Sequence, residues 1–97
     1  MFRHVAIFTF AEGTTPGQVE AMSAGLARLP SLIAVLRDYR FGPDARLTDG
    51  NGDFAVVADF DDAAGYQAYT THPAHVDVAT RLVRPILAHR SAVQFTT

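Results

Sequence analysis

Residues 2–10 read Phe-Arg-His-Val-Ala-Ile-Phe-Thr-Phe. In an extended chain Phe2, His4, Ala6, Phe8 and Phe10 fall on one side, and Arg3, Val5, Ile7 and Thr9 on the other. A period of two with aromatic and β-branched residues predicts a strand. Both sides are largely apolar, so both faces of the sheet that takes this strand need a cover. The chain has only 97 residues for that purpose. A domain of this size buries roughly 60–65% of the surface it exposes unfolded, so its core is thin and pairing with a second copy is a common support.

The rest of the chain supplies one cover. Thr15 suits an N-cap, Pro16 the first helical position, and Gln18 completes a capping box. Val19, Met22, Leu26 and Leu29 then recur at helical spacing, which predicts one amphipathic helix ending at Pro30. Residues 33–41 read as a strand with Val35, Arg37, Tyr39 and Phe41 on one face. Turn signals follow at Gly42-Pro43 and from Asp49 to Gly52. Residues 53–60 read as a further strand, with Phe54, Val56, Ala58 and Phe60 on one side. Asp61 or Asp62 caps a helix toward Tyr69, and Tyr66 and Tyr69 share a face of it. Pro73 interrupts that helix. A second helical piece spans about Ala74 to Val83, and residues 86–95 form a last strand.

The order β-α-β-β-α-β predicts an α+β, ferredoxin-like fold, one domain over residues 1–97, with a four-stranded antiparallel sheet and its helices on one face. The other face is left bare, with Val5, Ile7 and Val57 toward water. At ~25 cal/mol per Å2, covering several hundred Å2 is worth roughly 10 kcal/mol before association costs. A homodimer through the sheet face is the simplest remedy.

Composition narrows the function. The net charge of −2 gives no strong pull toward nucleic acid or an anionic membrane. The absence of cysteine removes disulfides, thiolate metal sites and a cysteine nucleophile, and it fits a cytoplasmic protein. The opening residues lack the apolar run of a signal peptide, and no stretch approaches the ~20 apolar residues of a membrane span. The glycine-rich turns have neither P-loop nor G-x-G-x-x-G spacing, so no nucleotide site is indicated. Asp59, Asp61 and Asp62 sit at a strand-to-helix junction, where aspartates serve as caps.

Five segments, RHVAIFTF, LRDYRFGPDA, DFAVVADFDD, YTTHPAHVDVA and RSAVQF, occur in an order that resembles the stress-responsive α/β-barrel (Dabb) family. A first-strand histidine with an HPxH element is the most specific part. The resemblance spans almost the whole chain and implies a homodimer in which two four-stranded sheets close into one barrel. Some members are polyketide cyclases, the olivetolic acid type being the best known. There a first-strand histidine, a tyrosine and the second histidine of HPxH line a pocket between sheet and helices. By this resemblance the catalytic candidates are His4, Tyr69 and His75. The expected substrate-binding residues are Ala6, Phe8, Met22, Leu26, His72 and Val78.

Each residue also has a plainer reading. His4 could activate a substrate oxygen, or be a core imidazole satisfied by a backbone carbonyl or by Tyr69. His75 follows Pro73 near a helix start, whose partial positive charge keeps the ring neutral and suited to be a general base. The alternative is an exposed cap. Tyr69 could hydrogen-bond a developing oxyanion, or be a core aromatic with a wet hydroxyl. His72 lies three residues before His75, with Asp77 as a third conceivable metal ligand, but Pro73 breaks the spacing and a hydrogen bond to the local turn fits His72 better. No cofactor and no metal are expected. His89 receives no role.

The leading expectation is a pocket for a small carbonyl-rich or aromatic metabolite, with a cofactor-independent aldol-type cyclisation as its chemistry. The alternatives are a non-catalytic stress-responsive ligand-binding dimer, in which Phe8, Met22 and Leu26 fill the space themselves, and a cofactor-independent small monooxygenase. A cavity of ~300 Å3 or more touching all three candidates would favour a site.

Overall fold

The computed structural model describes all residues from Met1 to Thr97. Strand β1 (Phe2–Phe10) lies inside an antiparallel sheet of order β2-β3-β1-β4, with β2 at Asp38–Pro43, β3 at Phe54–Phe60 and β4 at Leu87–Thr96. Helix α1 (Pro16–Leu32) follows β1, and α2 (Ala63–Thr71) and α3 (Pro73–Val78) follow β3. A π-helical turn (Ala79–Val83) and a 3-10 turn (Arg84–Ile86) then lead into β4. This is the expected ferredoxin-like α+β plan.

Register fixes which residues look toward the helices. His4 stands opposite Ala58 of β3 and Gln94 of β4, and Ala6 opposite Val56 and Ala92. Tyr39 and Phe41 of β2 pair with Ala58 and Val56, so they join the same face. Met22, Leu26 and Leu29 of α1 cover it, and Phe60, Met22, Leu29 and Ile33 are the largest side chains lost entirely from solvent. Gly25 lets α1 approach closely. A Cβ there would sit 2.6 Å from Leu82 Cδ1 and 3.5 Å from Val78.

The capping box at Thr15 and Gln18 starts α1 as expected: Thr15 Oγ1 accepts from the Gln18 N–H and Gln18 Oε1 accepts from the Thr15 N–H. The helix does not stop at Pro30 but runs on to Leu32. A proline in the last turn removes a single ladder hydrogen bond, and buried Leu29 and Ile33 hold that turn against the sheet, with the Ile33 N–H bonded to the Leu29 carbonyl. The strand expected over 33–41 begins only at Asp38, because the chain first turns through a hydrogen bond from the Leu36 N–H to the Ile33 carbonyl.

The aspartates at the β3–α2 junction divide their tasks. Asp62 caps α2 through the Gly65 N–H, and Asp61 pairs with exposed Arg37. Asp59 is not a cap. It sits on the helix-free face, where both its oxygens accept from Arg3, at 2.7 and 2.8 Å. Around this pair the face is apolar. Val5 stands between Val57 and Val93 in register, while Ile7, Val93 and Phe95 are 43%, 56% and 46% exposed. Nothing in the single chain covers them.

Candidate functional site

A cavity of about 290 Å3 opens between the sheet and the segment from α2 to β4. Strand alternation brings His4, Ala6 and Phe8 to its floor, and α1 contributes Leu26. Pro73 breaks the chain between α2 and α3, and this bend delivers Tyr69 from one helix and His75 from the next. Val78, Val83 and Leu87 complete an apolar wall.

The structure therefore gathers His4, Tyr69, His75, Ala6, Phe8, Leu26 and Val78 around one space. It places two expected residues elsewhere. Met22 is wholly buried in the core, one turn of α1 before Leu26, and does not reach the cavity. His72 is the N-cap of α3: its Nδ1 accepts from the Ala74 N–H at 3.0 Å. His72, His75 and Asp77 are not assembled as a ligand set, since Asp77 is bonded bidentately to Arg81.

The two imidazoles are in complementary states. Nδ1 of His75 lies 3.2 Å from the Thr70 carbonyl oxygen. A carbonyl can only accept, so Nδ1 carries the proton and Nε2 of the neutral ring keeps its lone pair. Nδ1 of His4 instead lies 2.8 Å from the Gln94 side-chain nitrogen. An amide nitrogen can only donate, so the neutral His4 ring bears its proton on Nε2. One ring is thus an acceptor and the other a donor.

Burial is the chief cause of their neutrality. His4 is 4% exposed, and burial, with smaller contributions from the Arg90 charge and from His75, lowers its pKa from 6.5 to about 4. Burial also lowers His75, against the Thr70 carbonyl, which favours the charged ring; Arg90 and Arg84 add to the lowering. Desolvation, rather than the start of the six-residue α3, is therefore what keeps His75 uncharged.

Tyr69 is 3% exposed, with its ring centroid 4.3 Å from that of His75. Its hydroxyl lies 3.1 Å from the hydroxyl of Tyr39 on β2. Burial raises both phenols, so both remain protonated donors. If Tyr39 donates within the pair, the Tyr69 proton is free for a ligand. His4 is further held by the Tyr66 ring, 4.8 Å away centroid to centroid.

Sequence reasoning missed Tyr39, Arg84 and Arg90 as wall residues. Tyr39 was legible on its strand face, but its meeting with Tyr69 depends on packing across the sheet. Arg90 shares the inward parity of Gln94 on β4 and stands opposite Phe8. Arg84 is delivered by the turn that follows the π-helical segment.

Comparison with known proteins places this geometry in context. A family model described as Stress responsive A/B Barrel Domain matches residues 2–97. The chain is 28% identical over 80 residues to stress-response A/B barrel domain-containing protein HS1 of Arabidopsis thaliana, a span covering 80% of this chain and 73% of that one. A dimeric ferredoxin-like protein of unknown function from Thermobifida fusca YX superposes with a TM-score of 0.92 at 45% identity, covering 99% of this chain and 90% of that one. The hydroxynitrile lyase of Passiflora edulis shares the fold, with a TM-score of 0.85 at 13% identity over 97% of this chain and 90% of that one.

Proposed function

The chain belongs to the stress responsive A/B barrel domain family, and from that premise we propose that it is a homodimer whose protomers each catalyse a cofactor-free, aldol-type ring closure on a small carbonyl-rich metabolite. The observation that carries this reading is the pair of neutral imidazoles with opposite proton placement at one cavity.

In the proposed reaction Nε2 of His75 takes a proton from a carbon flanked by two carbonyls. The carbanion attacks a third carbonyl carbon of the same molecule. A carbon–carbon bond forms as the carbonyl π bond breaks, and the oxygen takes the charge. Nε2–H of His4 and the Tyr69 hydroxyl stabilise that oxygen. The alkoxide then recovers the proton from the His75 imidazolium, so the ring closure is balanced. The proton on His4 Nε2 suits that ring to the donor's place, and the free lone pair on His75 Nε2 suits His75 to the base's.

The homodimer is supported by the uncovered Val5–Val57–Val93 face and by the dimeric description of the Thermobifida fusca relative. No helix is long and apolar enough to cross a membrane.

A linear 3,5,7-triketo thioester tests the chemistry, since its C2 can close a six-membered ring on the C7 carbonyl, with cyclised product followed by chromatography. His75→Ala should lower turnover by about 10²–10⁴-fold, the range for one positioned base, with an unchanged circular-dichroism spectrum. Turnover equal to that of the unmodified protein would remove His75 from the mechanism. Binding of the thioester with no turnover in either protein would leave the non-catalytic ligand-binding dimer, for which Phe8 and Leu26 wall the cavity without filling it.

A further inference from the structure

The chain's eight basic residues are all arginines. Five of them, Arg3, Arg37, Arg40, Arg46 and Arg81, form ion pairs with aspartates. Arg84 and Arg90 form none and make no side-chain hydrogen bond, yet both line the cavity. They come from different elements, the 3-10 turn and β4, and converge on the same space. No aspartate or glutamate lines it. Both arginines are exposed, so they stand where the cavity meets solvent, while Ala6 and Phe8 make the floor around His4 largely apolar. Their charge is felt inside: Arg90 acts on His4, Tyr69 and His75.

An apolar floor with two unneutralised guanidinium groups at its rim is matched by a ligand with an apolar or aromatic body and one anionic end. Arginine's fork donates to both oxygens of a carboxylate. We propose that Arg84 and Arg90 form a carboxylate clamp, and that the cavity selects small aromatic or carbonyl-rich acids over their neutral counterparts. The proposal rests on the reading of the cavity as a ligand site, but not on its being catalytic.

Calorimetric titration with 2-naphthoate and with 2-naphthamide tests it, since the two have similar shapes and only one has the charge. Imidazole resonances of His4 and His75 report whether the probe enters the cavity. The expected result is that naphthoate binds at least tenfold more tightly and shifts both imidazoles. Arg84→Gln with Arg90→Gln should erase the preference, leaving naphthamide affinity within twofold and the thermal midpoint unchanged. Equal affinities, no binding of either probe, or a preference that survives both substitutions would overturn the clamp. Because no turnover is measured, an inactive protein that still prefers the acid would sink the cyclase reading and leave the clamp standing.

Discussion

His4 shows how much one residue can carry. Its ring is folded into the sheet uncharged, whereas an unfolded chain would hold it near the ordinary 6.5. The folded value of about 4 lies below the unfolded one. Stability from this group is therefore complete above about pH 6.5 and falls as acid protonates the unfolded chain first. The full shift corresponds to at most ~3 kcal/mol near pH 4, less whatever cavity water returns. His75, lowered in the same direction, adds to the loss. Urea denaturation between pH 7 and pH 4 should show a falling midpoint, and His4→Leu should flatten the slope. An identical slope in that variant would mean the folded ring takes up its proton as readily as the unfolded one. Strand parity made the inward place of His4 legible, while its meeting with Tyr69 and His75 was implied by the family resemblance. His72 and Met22 lie off the cavity for reasons of the same scale, and His72 makes the local-turn hydrogen bond that was its other reading. A histidine before Pro73 is placed to cap, and helical spacing cannot tell a core side chain such as Met22 from a cavity wall such as Leu26.

Elements were more legible than contacts between them. Period two in β1 and β3, the cap at Thr15 and a cap at Asp61 or Asp62 were readable because each depends on residues within a few positions. The start of β2 and the end of α1 were not, since both are set by Ile33 and Leu29 packing against the sheet. The approach of α1 to the α3 region is likewise a tertiary fact, and Gly25 is its mark. Gly25→Val would press two methyl groups into Leu82 and Val78. A destabilisation of about 1–3 kcal/mol is expected, the usual range for overpacking. Chemical denaturation at fixed protein concentration measures it, and an unshifted midpoint would show that α1 can stand further off than it does here. The same shift would displace Leu26 and Val78, so any ligand affinity should fall with it.

At the scale of the whole molecule the sheet separates two surfaces. One faces the helices and the cavity; the other presents Val5, Val57, Val93, Ile7 and Phe95 around the Arg3–Asp59 pair. In the proposed dimer this second surface is covered by its counterpart. Val93→Glu puts a charge at the β4 end of the valine row, on its most exposed member. Light scattering should then report a monomer, and the thermal midpoint should fall because the apolar row is left wet. A dimer that persists would move the interface to another face. The bare face was foreseeable from Val5 and Ile7 alone. Arg3 and Asp59 were not foreseeable as a pair, because they lie on different strands 56 positions apart.

Arg3 and His4 are consecutive, yet they look out on opposite sides of the sheet. Losing or gaining one residue at the head of β1 would trade their destinations, sending imidazole outward and guanidinium into the hollow. Composition at this strand can drift by substitution, but its count is locked to even steps. The loop between β2 and β3 is under no such parity, and length variation among relatives should collect there.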